Sequence, residues 1–274
     1  MSDDIERDPG IEQAIEEPPA GDGDMEERHH RALHERLSAL ESQVAGGVKK
    51  GADFTFVPAW KRLTEGEPRW QVTVAIGVAL TLQGLLPPHL ALGPRWLLPS
   101  LGGAFVVVLF ATKPGRRINR TSSLLRALSL AVIGTISVAN GYSAYRLIDE
   151  LLRGGVTDAT RLLLTGGAIW LTNVIAFSLW YWEFDRGGPA ARALAMRPYP
   201  DFQFPQMENP TLAPKDWEPF FVDYLYLSFT NALAFSPTDV MPLSRWAKLT
   251  MLAQSGVSVL LVVLVIARAV NILK

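Results

Sequence analysis

The sequence predicts an all-α fold, a polytopic bundle of transmembrane helices, and three observations carry that expectation. Five runs are long enough, and poor enough in charge, to cross a hydrocarbon core about 30 Å thick. Trp70, Trp96, Trp180, Tyr181, Trp182 and Trp246 stand at the ends of these runs, where an indole or phenol is half wet. Lys and Arg crowd some connections and spare others, the asymmetry that orients a multi-pass chain.

The elements follow in chain order. Residues 1–28 hold eleven acids against Arg7 and Arg28, a net −9, while the remaining chain carries +8. Such a head, with Pro and Gly but almost no aromatics, cannot bury enough apolar surface to offset its ordering entropy, so it reads as an acidic disordered tail. It is too acidic for a cleaved signal peptide. In 29–69, "HHRALHERLSALESQVA" sets Leu33, Leu37, Leu40 and Val44 at helical spacing. That is a short amphipathic helix with a juxtamembrane segment, and a two-heptad stripe open to coiled-coil self-association.

Residues 70–182 hold four spans, near 70–88, 95–112, 123–147 and 161–182. In the third, Ser137 and Gly141 make a small-xxx-small pair with Gly134 one heptad earlier, a pattern that lets helices approach closely. The connection 183–218 contains Pro189, Pro198, Pro200, Pro205, Pro210 and Pro214, which forbid a long helix. Pro219 stands where a helix could begin. The fifth clear span, 246–270, contains the almost purely aliphatic "GVSVLLVVLVIA".

Lys49, Lys50, Lys61, Arg62 and Arg69 precede the first span, and Lys113, Arg116, Arg117, Arg120 and Arg126 surround the second connection. The positive-inside rule therefore places the N-terminus and "KPGRRINR" in the cytoplasm, within a cytoplasmic (inner) membrane. Segment 219–236 is either a short sixth span, about 18 residues and roughly 27 Å, or a re-entrant helix. A crossing would turn the 237–245 corner outward and return the C-terminus inside. A re-entrant helix would keep both its flanks on one side. The charge count slightly favours two full spans in 219–274.

The stretch "VDYLYLSFTNALAFSPTDVMPLSRWAKL" carries a resemblance. Aromatic residues and Ser228-Phe229 are followed by a filter-length segment, an acid, a Pro and a basic residue opening an apolar helix. Residues 217–272 thus resemble the pore module of voltage-gated-like and two-helix potassium channels. More loosely, the whole chain is similar to a family of uncharacterised bacterial polytopic membrane proteins with a degenerate pore-like C-terminus. Asp239 and Pro242 match the channel pattern; Ala234, Ser236 and Thr238 replace its threonine and glycines. A potassium filter needs glycines to turn successive carbonyls inward, so potassium selectivity is not expected.

Thr230, Asn231, Ser236, Thr238 and Asp239 are the pathway or filter-like candidates. Asp239 could equally cap the last helix. Asn140, Asn173 and Gln254 are polar candidates inside spans, where amides serve as interhelical hydrogen-bond glue or line a passage. His30 and His34 are spaced i, i+4, but two ligands are not a metal site. The four histidines lie outside the deep spans and there is no cysteine. No catalytic constellation, metal centre, cofactor or nucleic-acid partner is therefore expected. Two functions fit: an oligomeric channel-like or transport-related protein passing small ions, or a non-conducting scaffold or regulator that binds through its tail and leucine stripe.

Overall fold

The computed structural model describes residues 57–68, 70–94, 96, 100, 102–103, 123–155, 157–234 and 239–273, together with Arg36. The chain divides into two compact units, 1–56 and 57–274, and the architecture below is that of the second. The acidic tail, the leucine stripe and most of the 95–112 span lie outside the described residues, as do Ser236 and Thr238.

Helix α1 spans Trp70–Leu85 and ends at a Pro87-Pro88 turn, where two missing N–H donors stop the ladder. Helix α2 spans Ser123–Leu152 and α3 spans Ala159–Phe184; the Asp158 side chain caps α3 by accepting the Arg161 N–H at 3.1 Å. The Pro-rich connection folds into short pieces, α4 at Pro189–Ala193, strand β1 at Phe202–Gln203 and α5 at Pro205–Glu208. Helix α6 spans Phe221–Ala234, strand β2 Met241–Pro242 and helix α7 Arg245–Leu273. Among the described residues, three segments, Arg126–Leu152, Ala159–Gly187 and Arg245–Leu273, are long and apolar enough to cross a membrane. Helix α1 is apolar but shorter, at 16 residues or about 24 Å.

Helix α3 is the centre of the bundle and packs against α1, α2, α6 and α7. It runs antiparallel to α7. Near its C-terminal end Tyr181 meets Gln254, further down Asn173 meets Ser258, and near its start Gly166 meets Val265. The last contact has no room to spare, because a Cβ on Gly166 would lie 2.8 Å from Val265 Cγ2. Gly166→Leu is expected to wedge α3 from α7 and cost about 1–3 kcal/mol, read as a lower Tm in detergent. Adding Val265→Ala should recover part of the loss. By contrast Gly134 and Gly141, expected to mark a close approach, have open space beside them.

Helices α1, α2, α3 and α7 can be placed by their ends. Glu67, just before α1, reaches Trp182 near the end of α3, while His89 beyond α1 meets Glu150 near the end of α2. Arg126 and Ser129 at the start of α2 both reach Glu183. Arg268, near the end of α7, donates to the Gly154 carbonyl just before α3. So α1, α2 and α7 all start at the end of the bundle where α3 finishes. The C-terminal end of α7 lies opposite the start of α1, which departs from a C-terminus returned to the N-terminal side.

Candidate functional site

Helix α6 enters the bundle from the same end. Its start is anchored where the Phe221 N–H donates to Glu67 Oε2 at 3.2 Å, and Asp223 closes the first turn by accepting the Phe220 N–H at 2.8 Å. The first helical residue is thus Phe221 rather than Pro219. Going inward, Tyr224 donates to Asp185, Ser228 donates to the Val174 carbonyl, and Phe229 packs edge-on against Trp170 at 5.7 Å. Val174 and Trp170 sit at mid-length of α3.

The chain then comes back. Strand β2 pairs antiparallel with β1, Phe202 opposite Pro242 and Gln203 opposite Met241. The Leu243 N–H donates to the Asp201 carbonyl and Trp246 Nε1 to Asp201 Oδ1, each at 2.8 Å. Asp201 is itself tied to α3's end through its own N–H, which donates to Asp185 Oδ1. Both flanks of α6 therefore lie at one end of α3. With 14 residues α6 is about 21 Å long, short of a 30 Å core. Six residues, 235–240, separate α6 from β2, and an extended chain of that length reaches about 20 Å. That placement supports the re-entrant alternative for 219–236 over two full crossings. The charge count could not see it, because the corner 237–245 is nearly as neutral as a buried loop.

Four of the candidate residues are bound into interhelical pairs. Gln254, fully buried, accepts from Tyr181 Oη at 2.6 Å and from Asn231 Nδ2 at 2.8 Å through one oxygen. Its amide nitrogen donates to the Ser228 carbonyl and hydroxyl at 2.9 and 2.7 Å. Asn231 also donates to the Met251 carbonyl and accepts from Ser255 at 3.2 Å. Asn140 accepts from Gln83 Nε2 at 3.0 Å, which joins α2 to α1, and Asn173 donates to Ser258 Oγ at 3.1 Å, which joins α3 to α7. Thr230 is half-buried and donates back to the Tyr226 and Leu227 carbonyls of its own helix. Asp239 is exposed and six residues short of α7, whose cap is instead Ser244, accepting the Ala247 N–H at 3.4 Å.

Comparison with protein-family models, curated proteins and solved structures finds no match. Function therefore rests on this chain's own geometry.

The sequence reading missed a second cluster, at the end of α3. Within "WYWEFDRGGP", Glu183, Asp185 and Arg186 are all buried, as are Glu67 and Arg192. Arg192 Nη2 pairs with Glu67 Oε1 at 2.8 Å, and its Nη1 donates to the Trp182 and Asp185 carbonyls. Trp182 Nε1 donates to the other Glu67 oxygen at 2.7 Å. Burial pushes the Glu67 carboxyl above the usual carboxylate range, while Arg192 and the Trp182 N–H pull it back down. Arg186 sits in the left-handed region at φ 52°, followed by Gly187 at 85° and Gly188 at 99°. A Cβ on Gly188 would meet the Glu183 carbonyl at 2.8 Å, so the reversal out of α3 requires that glycine. Tyr181 and Trp182, expected half wet, are instead buried and bonded into these two clusters. The cluster ties the starts of α1, α6 and α7 to α3. Among the described residues, no group of three or more His, Asp or Glu is placed to hold a metal.

Proposed function

We propose that this is a multi-pass membrane protein of the channel-like or transport-related kind, with α6 as a half-depth re-entrant helix. The carrying observation is that α6 enters and the chain returns at the same end of α3. A helix that stops at mid-depth leaves its last carbonyls there, with the negative end of its dipole. Membrane proteins place such ends beside coordinated cations, since lipid offers these carbonyls no partner. In this reading Thr230, Asn231, Ser236, Thr238 and Asp239 border a passage for small cations. The passage forms between copies of a homo-oligomer, and it is not potassium-selective because the filter glycines are absent.

The five spans are α1, the 95–112 segment, α2, α3 and α7. The end that carries Lys61, Arg62 and Arg126 faces the cytoplasm, so the re-entrant helix opens inward. The module thereby takes the opposite orientation to the potassium-channel pore it resembles.

A non-conducting scaffold is the second reading, favoured by the way Asn231 and Gln254 spend their hydrogen bonds on each other. Purified protein in liposomes separates the two. We expect uptake of monovalent cations that Thr230→Leu strongly lowers while the variant retains the Tm of the parent. Absence of flux for every common ion leaves the scaffold reading standing.

A further inference from the structure

At the end of the bundle where α3 finishes, a groove of about 580 Å³ opens beside the cluster around Arg192. Trp60, Lys61, Arg186, Tyr199, Gln203 and Met207 line it with other residues, none of which is acidic. Two cations approach one indole there, Lys61 Nζ 4.7 Å and the Arg186 guanidinium 5.6 Å from the Trp60 ring centre. Among the described residues, every side-chain hydrogen bond of Arg186 goes to a carbonyl. Nε and Nη2 donate to Arg197 at 2.9 and 2.8 Å, and Nη1 donates to Trp60. A guanidinium 1 % exposed is thus held in a strained backbone turn with carbonyl dipoles, but no carboxylate, bonded to it. The Trp60 indole N–H, also buried, has no acceptor among the described residues.

Two cations and a spare N–H donor call for an anion in a groove whose own lining has no acid, although Asp185 and Glu218, outside that lining, also act on Arg186. The remaining wall is apolar, with Met207, Val57 and Leu243, and Tyr199 stands 81 % exposed at its rim. Phosphate above and hydrocarbon below is the chemistry of an anionic phospholipid at a membrane surface. We propose that this groove is a binding site for an anionic phospholipid headgroup, with the phosphate held at Lys61 and Arg186 and the glycerol side against Trp60 and Met207. The proposal rests on the membrane location in the reading above, and not on conduction.

The test uses the full chain in neutral detergent, titrated with phosphatidylglycerol or phosphatidylcholine and read by native mass spectrometry and by Tm. We expect phosphatidylglycerol to bind and raise the Tm, with phosphatidylcholine much weaker. Adding one charge in the groove, Gln203→Glu, should weaken phosphatidylglycerol binding about fivefold, and reversing one, Lys61→Glu, should weaken it more. Lys215→Glu, an exposed change in the same connection but outside the groove, should leave it nearly intact. Three results overturn the proposal: equal binding of the two lipids, equal loss in Lys215→Glu, or displacement of the lipid by glycerol 1-phosphate at matched concentration. The last would assign the groove to a soluble phosphate ester. Failure of cation flux leaves all of these readouts untouched.

Discussion

Single cysteines at Ala213 and Asp239 are expected to react as a pair, and one at Asn271 in the opposite way. The chain contains no cysteine of its own, so each label is unambiguous. Ala213 lies in the connection before α6, Asp239 just before β2, and Asn271 near the end of α7. An impermeant thiol reagent applied to intact cells should label Asn271→Cys alone. Ala213→Cys and Asp239→Cys should react only once the membrane is opened. The difference is all or none, because a hydrocarbon core of about 30 Å separates the two ends. Asp239→Cys reacting alone, with Asn271→Cys now protected, would make 219–236 a crossing helix and end the re-entrant reading. Ala213→Cys and Asp239→Cys both reacting from outside would keep the re-entrant helix and reverse the whole molecule.

The second large effect is at Arg192. Arg192→Met is expected to destabilise the fold by about 3–5 kcal/mol, since it leaves Glu67 buried without its cation. The pairing of Glu67→Met with Arg192→Met should recover most of that loss, because both charges then leave the interior together. The pH dependence gives a separate check. Burial already holds the Glu67 carboxyl above its usual range, and removing the guanidinium raises it further. A carboxyl raised in the folded state binds more protons folded than unfolded, so its contribution is present at low pH and is lost as pH rises. The deficit of Arg192→Met against the parent should therefore shrink as pH falls from neutral toward the ordinary carboxylate range. Urea or thermal unfolding in detergent measures both effects. A deficit independent of pH would mean that Arg192 acts through its carbonyl contacts instead.

The helices were legible because their signals are local. An apolar run such as 246–270 has to bury or span wherever it is placed, and α7 occupies Arg245–Leu273. Six prolines broke the connection into short pieces, as their missing N–H groups require. Asp223 and Ser244 as helix starts were within reach of the same local reasoning, although Pro219 and Asp239 drew attention first.

The candidate site was only half legible. Gln254, Asn231, Asn140 and Asn173 stand out as amides among apolar residues, but a list cannot tell which amide faces which. Pairing Gln254 with Tyr181, Asn231 and Ser228 brings together residues 73, 23 and 26 positions apart. The charged cluster was hidden for the opposite reason. Glu183, Asp185 and Arg186 look like the solvated end of a span, and only the return of Glu67, Arg192 and Tyr224 around them makes them buried.

The sequence by itself determined that this is a helical protein with apolar helices of membrane-crossing length, where the chain breaks, and that no cysteine chemistry exists. Those properties depend on neighbours in the chain, through periodicity, hydropathy and proline. The tertiary structure alone decided that the chain enters and leaves α6 at one end of α3, because that rests on a two-residue strand pair and on Asp201 reaching Trp246. Contacts so distant in sequence leave no local pattern, and their energy is gained only once the whole bundle has closed.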